Sequence, residues 1–89
     1  MGEVVTTVKL MPEGVEVDLE QIKNQAQDVI TDGGATLHQI EEEPIAFGLV
    51  SIIVRFIVDD KTGGTDLVEE KLSQISGVSS LEVIDVRLI

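Results

Sequence analysis

The sequence predicts an α+β sandwich, one antiparallel sheet of four strands with two helices on one of its faces. Three observations carry this. Two stretches with helical spacing, 19–30 and 68–75, each lie between stretches that read as strands. Each helical stretch closes on glycine, at 33–34 and at 77. The halves form a weak repeat, so the order strand, helix, strand, strand, helix, strand divides into two βαβ units.

The elements follow in order. Residues 3–10, EVVTTVKL, alternate, with Val4, Thr6, Val8 and Leu10 on one face. MPEG then turns the chain. Asp18 stands at an N-cap position with Gln21 three residues on, the spacing of a capping box. Leu19, Ile22, Ala26, Val29 and Ile30 form one apolar stripe, and TDGG (31–34) ends that helix. Residues 36–41 read as a second, less regular strand. The strongest strand is 48–58, GLVSIIVRFIV, with Val50, Ile52, Val54, Phe56 and Val58 on its core face. Its other face, with Arg55 among Leu49, Ser51, Ile53 and Ile57, suits a half-exposed outer surface on a central strand.

DDKTGGTD (59–66) is a polar connection. Asp66 with Glu69 repeats the capping box, with Thr65 as the alternative cap. Val68, Leu72 and Ile75 line the second helix, and Gly77 with Val78 suits a Schellman ending. Residues 79–88 form the last strand, whose parity slips between Val83 and Ile84 as at a bulge. The expected core is Val4, Val8, Leu10, Leu19, Ile22, Val29, Val50, Ile52, Val54, Phe56, Val68, Leu72, Ile75 and Leu81. Right-handed crossovers put the first and third strands side by side in the centre. This is the ferredoxin-like βαββαβ sandwich, a fold that hosts many unrelated activities.

Composition narrows the function. The 89 residues suit a single domain, 1–89, and the hydrophobic fraction of 43% can supply its core. The absence of cysteine removes disulfide scaffolds, Cys-based zinc sites and thiol nucleophiles, and is compatible with a reducing cytoplasm. No apolar run reaches the ~20 residues a bilayer span needs, and the N-terminus does not read as a signal peptide or an acylation site. A net charge of −11 is repelled by nucleic-acid phosphates and anionic membranes. Its bland reading is a solvated surface; if the charge has a target, that target is a basic protein surface.

The chemical inventory is sparse. His38 is a lone strand histidine with no nucleophile beside it. Glu41, Glu42 and Glu43 alternate faces, whereas a hard cation wants converging oxygens. The 59–66 loop has a glycine pair but no phosphate-cradling motif. No catalytic residue, metal site or cofactor is expected. A protein-binding module and a small-ligand regulatory domain acting as a dimer remain.

One stretch stands out, EEEPIAFGLVSIIV (41–54). Pro44 cannot donate to a strand ladder, so pairing should be interrupted there. Gly48 permits unusual backbone angles. Phe47 between them is either aimed outward from a turn or folded back as a cap on the core; the residues alone weigh these equally.

PIAFGLVSIIV, with VKLMPE, VDLEQI, LHQIEEEPIAFGL and GVSSLEVIDV, resembles the guanine-nucleotide exchange domain family of translation elongation factor 1-beta, in its free-standing archaeal form. The resemblance covers essentially the whole chain. It implies binding to elongation factor 1-alpha, the GTPase that delivers aminoacyl-tRNA to the ribosome, and acceleration of its GDP release. In eukaryotic relatives the motif's aromatic side chain, Phe47 here, enters a hydrophobic pocket of the GTPase domain. Pro44, Ile45 and Gly48 would hold it out. In those relatives a penultimate lysine also disturbs the magnesium site. This chain departs there: it ends Arg87-Leu88-Ile89, with Arg87 the nearest cation, and arginine is no simple replacement for lysine. A monomer that works alone in the cytoplasm is expected, since the segment that docks eukaryotic relatives to other subunits is missing.

Overall fold

The computed structural model describes residues 2–59 and 66–88 and, in the second of these segments, side chains from residue 68 on. The chain runs β1 (Glu3–Pro12), α1 (Leu19–Asp32), β2 (Thr36–Pro44), β3 (Val50–Asp59), α2 (Asp66–Ser73) and β4 (Val78–Leu88). All four strands form one sheet in the order β2-β3-β1-β4, and every pairing is antiparallel. The first and third strands are central, as right-handed crossovers require.

The predicted parity decides the core. Val8 and Leu10 of β1 join Ile52, Val54, Phe56 and Val58 of β3 beneath Ile22, Ala26 and Ile30 of α1 and Val68 and Leu72 of α2. One sheet face is thus covered by both helices. Val4, Leu19, Val29 and Leu81 pack at the margin, while Val50 at the end of β3 is half-buried and outside the cluster. Thr6 lies on the core side of β1 fully buried, and its hydroxyl has no hydrogen-bond partner among the described residues.

Local signals set most boundaries. The Asp18 carboxylate accepts from the Glu20 N–H at 3.0 Å and the Gln21 N–H at 3.4 Å, satisfying donors that the first helical turn leaves without partners. At the other end Gly33 donates to Val29 at 3.0 Å and Ala35 to Ile30 at 3.0 Å, across Gly34 at φ +81°. β4 bulges where its parity slips: Val8 faces Val83 while Thr7 faces Asp85, leaving Ile84 as the extra residue. The bulge returns Val86 and Leu88 to the side of the sheet that Leu81 and Val83 occupy.

Several boundaries differ from expectation, β3 among them, which begins at Val50 and leaves Gly48 and Leu49 to the turn. β1 continues through Met11 and Pro12, because β4 is long enough to pair with both. β2 extends to Pro44, with a bulge at His38 that turns the imidazole to solvent. α2 ends at Ser73, short of Ile75. Tighter turns follow, Gln74 donating to Lys71 at 3.1 Å and Ile75 to Leu72 at 3.3 Å, and these carry Ile75 into the core outside the helix. The capping box expected at Asp66 or Thr65 lies outside the described residues and side chains.

Candidate partner-binding site

The hairpin between β2 and β3 is built from the motif. Pro44 ends β2 opposite Val50, and the Ser51 hydroxyl donates to the Glu43 carbonyl at 3.1 Å. Beyond Pro44 the loop closes on itself. The Ile45 N–H donates to Leu49 at 2.8 Å, and the Leu49 N–H returns to Ala46 at 3.1 Å. The two central residues of that inner turn both have positive φ, +59° at Phe47 and +78° at Gly48. This is the sign pattern of a type I′ turn, the form whose twist matches a hairpin and whose usual occupants are Asn-Gly or Gly-Gly. A phenylalanine there is a local conflict, since the left-handed region costs a side chain with a Cβ ~1–2 kcal/mol.

The strained turn throws the ring outward. Phe47 is 95% exposed, which excludes the core-cap alternative, and Ile45 beside it is 37% exposed. Strain held at an exposed aromatic is the kind of outlier that clusters at binding sites. A Cβ built on Gly48 would lie 3.7 Å from Val15 Cγ1, so the β1–α1 loop borders the hairpin. Val15 carries no signal in the sequence, because a valine in the short polar turn Glu13-Gly14-Val15-Glu16 belongs to no helical or strand period.

The three preceding carboxylates are not equivalent. Glu42 is on the helix side of β2 and meets Lys23 of α1 at 2.6 Å, with Glu20 completing a small network at 3.3 Å. The hydrogen bond to Glu42 is the main cause that raises the Lys23 pKa above its ordinary value. Glu41, on the opposite face, accepts from the Gln39 amide. The expectation that all three are simply solvated holds least for Glu42, which ties an edge strand to a helix.

The C-terminal candidates lie elsewhere. Leu88 pairs with Val4, which pairs with Val58, whereas the hairpin begins at Val50. Eight residues of β3 separate these levels, about 26 Å at ~3.3 Å each, in a molecule 43 Å long. Arg87 and Leu88 are therefore not brought together with Pro44, Ile45, Phe47 and Gly48. Arg87 is exposed on the helix-free face, its Nε 2.8 Å from Asp85, beside a shallow depression of about 300 Å³ lined by Val5, Thr7, Arg55, Asp85 and Arg87. Arg55 donates there to Thr7 Oγ1 at 3.2 Å and Gln39 Oε1 at 3.1 Å. Leu88 is 73% exposed on the helix side of β4, and Ile89 lies outside the described residues.

Among solved structures the same architecture recurs in small α+β domains. The ACT domain of a GTP pyrophosphokinase from Chlorobium tepidum aligns with TM-score 0.62 at 17% identity, over 92% of this chain and 99% of that one. The de novo designed protein Foldit4 aligns with TM-score 0.66 at 23% identity, over 98% and 96%. These similarities establish the fold alone. Sequence goes further: residues 5–89 match the EF-1 guanine nucleotide exchange domain, and the chain belongs to that family. It is 55% identical to elongation factor 1-beta of Methanothermobacter thermautotrophicus, over 98% of this chain and 97% of that protein. Elongation factor 1-beta of Methanosarcina barkeri is 48% identical over 97% of each. The family and these archaeal relatives support a nucleotide-exchange role in translation elongation.

Proposed function

We propose that residues 1–89 act as one exchange domain that binds elongation factor 1-alpha and speeds replacement of its GDP by GTP. The observation that carries this reading is Phe47, a fully presented aromatic side chain on a strained turn in the motif of an exchange family. The β2–β3 hairpin is the anchor, with Pro44, Ile45 and Gly48 shaping it. Arg87 and Leu88 form a separate contact at the far end of the sheet; Ile89, outside the described residues, belongs to the same proposed contact.

The mechanism is linkage. A partner bound more tightly to the nucleotide-free GTPase than to its GDP form must weaken GDP binding by the same factor. Such work needs no acid, base or nucleophile from this chain. Two contacts about 26 Å apart along β3, carried on one sheet, let this single domain engage the GTPase at two separate places. The net charge of −11 supports attraction to a basic protein surface and disfavours nucleic acid and anionic membranes. The chain acts as a cytoplasmic monomer.

The test is release of a fluorescent GDP from purified elongation factor 1-alpha, followed with and without the protein. Acceleration that declines as salt rises is expected. Unchanged release, together with a stable homodimer, would favour a ligand-binding regulatory domain instead.

A further inference from the structure

The end of the sheet that carries Phe47 is larger than the family motif. Val15 lies in the β1–α1 loop, 64% exposed, with its Cγ1 3.7 Å from where a Cβ on Gly48 would stand. That loop is tethered to the α2–β4 connection and folded on itself. The Glu13 N–H donates to the Gly77 carbonyl at 2.8 Å, and the Val17 N–H donates to Gly14 at 3.4 Å. Val17 then packs against the core, and a Cβ on Gly77 would lie only 2.9 Å from its Cγ1. With Val17 seated inward and Glu13 tethered, Val15 is presented outward from a fixed loop beside the hairpin.

Two loops distant in sequence thus place three exposed apolar side chains at one end of the molecule, Val15, Ile45 and Phe47. Carboxylates border them. Glu13 and Glu16 flank Val15, Glu43 precedes Pro44, and all three are exposed. A second copy of this chain is a poor occupant, because it would set these carboxylates against their own kind in chains of net charge −11. The complementary surface is an apolar recess bordered by lysine or arginine.

We infer that Val15 is a third apolar contact of the docking surface and that the GTPase receives Val15, Ile45 and Phe47 in one apolar recess with a basic rim. This rests on the proposed exchange function and adds to it a residue and the chemistry of the partner's surface. Apolar contact centres bordered by polar rims are the common anatomy of protein interfaces.

The experiment compares wild type, Val15→Ser, Val15→Glu and Val15→Lys by GDP release from elongation factor 1-alpha at low and high salt, with thermal melting of each. An exposed side chain should leave melting unchanged in all three variants. Val15→Ser should weaken apparent affinity about threefold, and both charged variants about tenfold or more. Val15→Lys should be worse than Val15→Glu at low salt, and the gap should close at high salt as a basic rim is screened. Wild-type exchange unaffected by any Val15 variant overturns this inference and leaves the exchange function standing. Equal losses for Lys and Glu at every salt overturn the basic rim. A wild type that fails to release GDP overturns the exchange reading and this inference with it. A wild-type dimer dissociated by Val15→Lys would reassign the patch to self-association.

Discussion

Replacing Phe47 separates stability from binding in a way few side chains allow. At 95% exposure the ring contributes almost nothing to the core, so removing it forfeits no burial in the free chain. Its backbone, at φ +59°, carries a left-handed cost of ~1–2 kcal/mol that glycine would not. Glycine in turn loses more backbone entropy on folding, by roughly 0.5–1 kcal/mol. Phe47→Gly should therefore be neutral to about 1.5 kcal/mol more stable, a rise of up to ~6–12 °C in Tm for a domain of this size. Phe47→Ala keeps its Cβ in the strained region and should melt like wild type. Burying a phenylalanine ring in a partner's pocket is worth ~2–3 kcal/mol, so either variant should weaken productive binding by roughly 30- to 150-fold. The assay pairs thermal melting with GDP release from elongation factor 1-alpha over a range of protein concentrations. A Tm several degrees lower for Phe47→Gly, with exchange retained, would refute both the strain and the docking role.

Other perturbations reach different parts of the structure. Thr6→Val replaces a fully buried hydroxyl that has no partner among the described residues by an apolar group of the same shape; stability should rise by about 1 kcal/mol, read as a higher midpoint in denaturant. Lys23 has its pKa raised by Glu42, so the stability its bridge contributes is fully present below its ordinary 10.5 and is lost as pH rises through the raised value. Melting of wild type against Glu42→Gln should accordingly differ at neutral pH and converge in strong alkali. Arg87→Gln should leave melting unchanged and slow exchange. Its effect should add to that of Phe47→Ala within ~0.5 kcal/mol, because contacts this far apart share no neighbours; strong non-additivity in the double mutant would show that the two ends act as one site.

The sheet's face assignments, the caps at Asp18 and Gly33 and the bulge at Ile84 were legible in the sequence because each depends on a period or spacing within one segment. The place where α2 stops was not, because the turn that carries Ile75 inward is selected by the core it joins. Phe47 was an open choice between core cap and outward ring. Only the closed hairpin decided it, since a positive φ at a phenylalanine is imposed by strand twist and register and contradicts the residue's own preference. Packing of the β1–α1 loop and α1 on the sheet likewise puts Val15 beside Gly48 and Glu42 against Lys23, and strand order and register put Arg87 at the opposite end from Phe47. Sequence patterns report which way a side chain faces within its own element. Which elements meet, and how far apart two exposed groups stand, follows from the packing of the whole sheet, and no single segment encodes it.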